Sequence, residues 1–301
     1  MIERPKIPAV VVTYHPADTV TANLSAMVRE SGEVIVVDNG SSPQAHAAIE
    51  SVRGVTLLAL GENLGVAAAL NRGAEAAAAA GAGWMVAFDQ DSVPEPGMIA
   101  ALWAAHARMP RAAVIGPRIL EDGAVPSRYR WVRRHPHWPG LFQRVPSYGE
   151  DLAGVTMLIT SGSLIELAAW RELGGFDERL FIDYIDTDYC LRTIRAEREV
   201  AVAGAAVLRH RLGERRDARI GGMNFRPTHH AAFRHYYMSR NRILMWRRHA
   251  RAVPHWAAFD AVFAAYNFVR VLLFENERAA KIKAMAAGTW AGLCGRSGRM
   301  P

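Results

Sequence analysis

Trp84-Met85-Val86-Ala87-Phe88-Asp89-Gln90-Asp91-Ser92 is a short apolar run that ends in two carboxylates one residue apart. Its length suits a buried strand. Ionised carboxylates need a cation, hydrogen-bond donors or water, so paired acids at the end of such a strand call for a partner. Strand residues alternate faces, which predicts that Asp89 and Asp91 point the same way at the carboxyl end. Open α/β sheets bind their ligands there. Two hard oxygen ligands beside a strand end suit Mg²⁺ or Mn²⁺ shared with a phosphate-bearing substrate. The competing reading is a solvated turn in which Asp91 or Ser92 caps a following helix.

Outward from this run, strands and helices alternate. Residues 7–13, 33–37, 55–60, 84–88 and 112–116 read as strands. Residues 17–29, 44–52, 64–80 and 98–109 read as helices between them. Such alternation with short connections predicts a mostly parallel sheet covered on both faces. Residues 121–150, with four prolines among arginines and aromatics, read as an excursion over the sheet. A strand is expected at 155–160, then a helix starting at Ser163, because Ser163 and Glu166 have capping-box spacing. Gly174 and Gly175 end that helix. Residues 228–290 read as two long helical segments parted at Pro254 and His255.

The 301 residues are half hydrophobic and 22% charged, enough for a substantial core and too apolar for wholesale disorder. Cys190 and Cys294 show neither a disulfide framework nor metal-ligand spacing, which suggests a reducing compartment. The first residues lack a signal peptide's basic flank and apolar core. Charge is divided unevenly. Residues 1–208 carry 18 Lys/Arg against 24 Asp/Glu, while residues 209–301 carry 18 against 5. A basic tail region on a mildly acidic body points to an anionic partner: phosphate, nucleic acid or a membrane surface. No nucleic-acid module pattern is present, so nucleic acid is not expected as the partner.

Several motifs can carry chemistry. Asp38 and Asn39 close the second strand, where a carboxylate can accept from a pyrimidine N3–H or a ribose hydroxyl. The same Asp-Asn-Gly triplet also makes a simple turn. Asn63, Gly65 and Asn71 flank the start of a helix whose backbone amides could approach phosphates, with a purely structural loop as the alternative. Asp183, Asp186 and Asp188 fall within six residues, next to apolar neighbours that favour a raised pKa and general-base work. Helix N-terminal acids on the macrodipole are the other reading. His210 could complete a metal site or be structural. Arg240, beside Asn241, offers a guanidinium for a diphosphate, or belongs to a basic surface helix.

Taken in order, Val11 to Tyr14, Asp38 and Asn39, Asn63 to Gly65, Asn71 to Gly73, Asp89 to Ser92, Thr160 to Ser163, Gly174 to Asp177, the acidic segment 181–192, His210 and Arg240-Asn241 resemble glycosyltransferase family 2. Within it the chain is most similar to bacterial rhamnosyltransferases that use dTDP-L-rhamnose. The resemblance spans roughly residues 8–250. It implies a GT-A fold over residues 1–222, with a nucleotide-sugar-binding half (1–118) and an acceptor-binding half (119–222), followed by a basic helical region, 223–301. It implies that Thr13 and Tyr14 line the nucleotide site with Asn39, Asn63, Gly65, Asn71 and Gln90, that Asp38 reads the pyrimidine, and that Asp89 lies near the ribose. Asp91 and His210 would hold Mg²⁺ or Mn²⁺ on the diphosphate, with Arg240 on the leaving group. Ser161, Gly162 and Asp183 would face the acceptor. Asp186 falls where the family keeps its catalytic base, in a segment usually reading Glu-Asp-x-Asp; Ile185 replaces that Glu, so Asp183 and Asp188 stay as rivals.

The expected function is therefore inverting, metal-dependent transfer of a sugar, L-rhamnose first, from a dTDP-sugar to a saccharide acceptor in cell-wall or surface polysaccharide synthesis. Transfer of galactofuranose or galactose from a UDP donor is the alternative, since pyrimidine recognition does not separate thymine from uracil. A nucleotide-sugar-binding protein without turnover is a third class, disfavoured by the intact acids. Residues 256–274 are mostly apolar but carry Asp260, Asn267 and Arg270. Each charge at a bilayer centre costs roughly 2.5–3.5 kcal/mol, so spanning is not expected. The segment should pack on the catalytic domain or lie at a membrane surface beside Arg240, Arg242, Arg247, Arg248 and Arg251. A cytoplasmic protein, peripheral on the inner face of the plasma membrane and open to homo-oligomerisation, is the resulting expectation. A lipid-linked saccharide is its expected acceptor.

Overall fold

The structure, a computed structural model, describes residues 5–120, 130–209, 218–220, 223–225 and 230–300. Strands β1 (Ala9–Thr13), β2 (Val34–Asp38), β3 (Val55–Ala59) and β4 (Trp84–Asp89) alternate with helices α1 (Val20–Ser31), α2 (Pro43–Glu50) and α3 (Val66–Ala79). There follow β5 (Val93–Pro94), α4 (Met98–Arg108), β6 (Ala112–Leu120), a hairpin of β7 (Arg130–Arg134) and β8 (Phe142–Pro146), β9 (Leu152–Ala153), β10 (Leu164–Glu166) and α5 (Leu167–Glu172). Next come α6 (Ile185–Arg195), β11 (Glu199–Arg209), a short β12 (Ala218–Ile220) to β13 (Met223–Phe225) hairpin, and helices α7 (Ala232–His249), α8 (Pro254–Phe274) and α9 (Arg278–Leu293).

One sheet of nine strands runs β3-β2-β1-β4-β10-β6-β11-β5, with β9 added on β11. β3, β2, β1 and β4 are parallel, and β6 and β11 are parallel to each other. β10 lies antiparallel between β4 and β6 and joins the two halves. The apolar runs of β1 and β2 are buried on both faces, as parallel strands between helices must be. One core layer includes Val10, Ile35, Leu70 and Met85; the other includes Val11, Val36, Leu24 and Phe88. Gly73 lets α3 settle directly on β1: a Cβ there would stand 2.2 Å from Val10 Cγ1.

Three expectations are corrected. Residues 155–160 form no strand; Val155 makes a single bridge to Arg133, and the strand comes later, at β10. Ser163 caps no helix. Gly162, at φ 80°, turns the chain into β10, and the Ser163 hydroxyl donates to the Ile159 carbonyl at 2.7 Å, leaving Glu166 at the N-cap of α5. The helical tail also breaks a second time after Phe274. There the Glu275 carboxylate is buried and receives Lys281 at 2.8 Å and Arg270 at 3.3 Å.

Candidate active site

β4 ends at Asp89, and Gln90 and Asp91 already belong to a turn, so strand alternation does not govern the second acid. Both carboxylates are nevertheless exposed at the carboxyl end of the sheet. The turn is braced from three sides. The Asp89 amide donates to Ser161 Oγ at 3.0 Å, and Ser161 and Ser92 share a 2.7 Å hydroxyl contact. Gln90 accepts from the Tyr14 amide at 2.9 Å through its side chain, and from Asn23 Nδ2 at 2.9 Å through its carbonyl. Gln90 and Ser161 therefore position the acid turn, and Ser161, 1% exposed, is corrected from a residue facing an acceptor to a brace beneath that turn. Gly162 is likewise backbone machinery: its amide donates to the Ala87 carbonyl at 2.7 Å.

Asp38 is fully buried, and its carboxylate accepts from Thr13 Oγ1 at 2.8 Å, Ser41 Oγ at 2.5 Å, the amides of Gly40 and Ser41, and His46 at 2.9 Å. Burial alone would raise this carboxyl, but the bonds from Ser41, His46 and Thr13 hold it below the usual range. A carboxylate offers about four lone-pair sites, so no acceptor is left for a base. Asp38 and Thr13 are corrected from pyrimidine contacts to the scaffold of the β1 and β2 ends. Tyr14, 47% exposed and 4.3 Å ring to ring from His15, is the aromatic surface beside them.

The start of α3 also differs from expectation. The amides just before it and its first amide have partners within the protein: Leu64 N donates to Asn39 Oδ1, Gly65 N to Asn63 Oδ1, and Val66 N to the Phe181 carbonyl. Asn39 holds this turn to the end of β2, Asn63 closes it from within, and Gly65 and Val66 set it against Phe181 of the acidic segment. Gly65 sits at φ 92°, and a Cβ would lie 2.7 Å from Phe181. Asn71 is buried, donates to the Phe176 carbonyl and Glu178, and accepts from the Phe176 amide and Trp170 Nε1. It is a structural clamp as well.

Opposite the β4 acids lies the segment 181–188. Phe181, Asp183 and Tyr184 all adopt left-handed backbone, at φ 64°, 63° and 66°. Such strain costs of order 1–3 kcal/mol per residue and persists only where the surroundings impose it. α7 imposes it. Asn241 Nδ2 donates to the carbonyls of Leu180, Ile182 and Asp183 at 2.8–3.0 Å, and Arg240 binds the carbonyls of Leu180 and Gly298. Arg240 is 1% exposed, so its expected place on a diphosphate is corrected to a strut beneath the acidic loop.

The three acids of this segment have three different environments. Asp188 is fully buried between Arg192 and Arg248, both at 2.7 Å, and His249 at 2.9 Å; it is an ion-paired anchor and no rival for the base. Asp183 is held by Arg234, at 3.0 Å from Nη2 and 3.2 Å from Nε. Asp186 opens α6, half-buried over a water-sized void lined by Leu158, Thr160 and Cys190. Burial pushes its carboxyl up to about 6; the Thr187 amide opposes this, and the fields of Asp183 and Asp89 add to it. Arg234 feels Asp183, Asp89 and Asp186 together, which brings both acidic clusters and one cation into a single site. Nothing in the sequence distinguished Arg234 from the other arginines of the tail.

His210 lies outside the described residues. Among the described residues no group of three or more His, Cys, Asp or Glu side chains is set to hold a metal. The exposed carboxylate of Asp91 has the hard oxygens that suit Mg²⁺ or Mn²⁺, and a cation held there would need further ligands from outside the described residues, such as a substrate. A larger cavity of about 340 Å³ lies at the other end of the sheet, by the amino end of β11. Its His255 bonds Thr156 at 3.0 Å, and burial with nearby Arg134 depresses it to about 4, which leaves it neutral.

A mostly parallel sheet flanked by helices, with an acid turn at its carboxyl end and a C-terminal helical region, has the GT-A architecture. Residues 9–173 match the family model described as glycosyl transferase family 2, and the chain belongs to that family. It is 28% identical over 296 residues to the dTDP-rhamnosyl transferase RfbF of Shigella flexneri, covering 96% of each chain. It is 34% identical over 235 residues to the N-acetylglucosaminyl-diphospho-decaprenol L-rhamnosyltransferase of Mycobacterium tuberculosis, covering 68% of this chain and 76% of that one. The fold matches the mannosyltransferase PcManGT of Pyrobaculum calidifontis in complex with GDP-Man and Mn²⁺, with a TM-score of 0.59 at 15% identity, over 100% of this chain and 78% of that one. The chain is thus a rhamnosyltransferase-like member of its family.

Proposed function

We propose that the protein transfers L-rhamnose from dTDP-L-rhamnose to a hydroxyl of a saccharide acceptor with inversion, the acceptor being carried on a lipid diphosphate. The donor reading is supported by similarity to the Shigella transferase, and the acceptor reading by similarity to the mycobacterial one. The observation that carries the mechanism is Asp186, raised to about 6 at the mouth of α6 and facing Asp89. A carboxylate of that basicity accepts a proton near neutral pH better than an ordinary aspartate. Asp186 takes the acceptor hydroxyl proton as its oxygen attacks the anomeric carbon, and the bond to the nucleotide diphosphate breaks on the opposite side. Arg234 takes the place first expected of Arg240: its guanidinium, half-buried and among acids, meets the diphosphate charge that grows as the bond breaks. Asp91 would hold a divalent cation, which when bound neutralises the diphosphate. Tyr14 offers a ring face to the pyrimidine.

Titration calorimetry with dTDP and UDP, with and without Mn²⁺, tests the binding half of this reading. Tighter binding of dTDP, strengthened by Mn²⁺ and weakened in Asp91→Asn, supports it. Equal affinity in EDTA and in metal overturns the metal's role, and preference for UDP overturns the donor.

A further inference from the structure

Helix α8 is built inside out for a helix in water. Its charged and amide side chains, Asp260, Asn267 and Arg270, are 2–6% exposed, while Val262, Tyr266, Val269 and Leu273 are 37–59% exposed. The exposed four recur at spacings of four, three and four, which makes one continuous stripe along the outer face. The buried polar groups have partners. Asp260 receives Tyr184 at 2.6 Å, Trp246 at 2.7 Å and Arg242 at 3.0 Å, and Arg270 pairs with Glu275 at 3.3 Å. The inward side is therefore fixed to the catalytic body next to the acidic loop, and the outward side presents a large apolar surface that soluble proteins rarely leave open. The β7–β8 hairpin extends it: Phe142 meets Phe259 edge to face at 5.3 Å, Phe259 stacks on Phe263, and Leu141 stands 53% exposed at the hairpin turn.

We propose that this stripe is a monotopic membrane-docking surface for anionic bilayers. Charge decides between a bilayer and a second copy of the chain. Over residues 230–300 the exposed charged side chains are six cations (Arg247, Arg251, Arg278, Lys283, Arg296 and Arg299) against Glu277 alone. Arg251 and Arg278 bracket α8 at its two ends, where long cations reach headgroups while the stripe enters the acyl boundary. A two-fold dimer through the same face would bring these flanking cations, Arg251 and Arg278, against those of the second copy. The helix is long and apolar enough to span a membrane, with 21 residues, but its polar inner face is committed to the catalytic body, so it lies along the surface. Three of the α7 arginines first expected to reach the membrane do not form this surface: Arg240 and Arg242 are buried, and Arg248 is ion-paired to Asp177 and Asp188. The inference deepens the lipid-linked acceptor reading. Flotation is read without turnover, so a failure of docking and a failure of that reading are separable.

The test is flotation of the full chain with phosphatidylcholine vesicles with and without phosphatidylglycerol, beside the double variant Val269→Glu with Leu273→Glu and the single variant Arg278→Gln. The protein should float with the anionic vesicles at low salt and detach at high salt. The double variant should lose at least about tenfold in partitioning while keeping its melting temperature and its dTDP affinity. Arg278→Gln should lose about fivefold, from about 1 kcal/mol per basic residue at an anionic surface. A wild-type protein that stays at the bottom of the gradient overturns the proposal, as does a double variant that floats equally well. A dimer in sedimentation that the double variant abolishes, with no vesicle binding, assigns the face to a second copy instead.

Discussion

Arg234 grips Asp183 through two nitrogens, Nη2 at 3.0 Å and Nε at 3.2 Å, and the same guanidinium lies in the fields of Asp89 and Asp186. One cation among three acids is placed to be exchanged: a diphosphate entering the site competes with Asp183 for the same forked donor. Arg234→Gln is expected to weaken dTDP binding about tenfold and lower kcat/KM by about two orders of magnitude, as for a lost charge-assisted contact to a leaving group. Arg234→Lys should recover part of the loss, because the charge returns without the fork. Unchanged dTDP affinity in the Gln variant would remove Arg234 from the diphosphate site.

Asp186 sets the acid side of the activity profile. A base must be deprotonated to act, so kcat/KM should fall as pH drops through about 6, the value to which burial raises this carboxyl. Asp186→Asn should cost two or more orders of magnitude in turnover with dTDP affinity nearly intact. If Asp183→Asn proves the more damaging change with the fold preserved, the base is Asp183.

The same group has an opposite effect on stability. Its pKa is higher folded than unfolded, so the folded state binds the proton more tightly, and the stability held at low pH is lost as pH rises from about 4 through about 6. Asp186→Asn stays neutral throughout and should melt higher than the wild type at pH 8 and about equally at pH 4. Equal melting shifts at both pH values would show that the carboxylate is not strained by its site.

Gly65 and Arg240 hold the acidic loop from two sides. Gly65→Ala forces a side chain into backbone that favours glycine and against Phe181, a cost of about 1–3 kcal/mol in backbone strain alone. Arg240→Ala removes a buried guanidinium from the Leu180 and Gly298 carbonyls and leaves a void beneath the loop, about 2 kcal/mol or more. Chemical denaturation should register both losses, and a neutral Arg240→Ala would restore Arg240 as a ligand contact.

The parts of the fold that local pattern controls were readable. β1, β2 and β4 are continuous apolar runs whose burial on both faces follows from composition, and the acids at the end of β4 lie at the carboxyl end of the sheet as expected. The errors share a cause. Asn71, Gln90 and Arg240 are polar residues in motif positions, and a sequence does not separate a polar group that meets a ligand from one whose partners are about 60 to 105 residues away, while Asp38 is filled by its near neighbours Gly40, Ser41 and His46 together with Thr13. Asp188 was ambiguous for the same reason, since Arg248 and His249 lie on a different helix. Ser163 has the spacing of a cap, but the left-handed turn at Gly162 places it at the head of a strand.

The most direct measurement is release of nucleotide diphosphate from a panel of dTDP- and UDP-sugars, with Mn²⁺ and a lipid-diphosphate saccharide acceptor, by the wild type and by Asp186→Asn. The account predicts turnover with dTDP-L-rhamnose above every UDP-sugar, an acceptor-dependent rise in rate, and near loss of that rise in the variant. Turnover that prefers a UDP-sugar, or an acceptor-dependent rate that survives in Asp186→Asn, would contradict it.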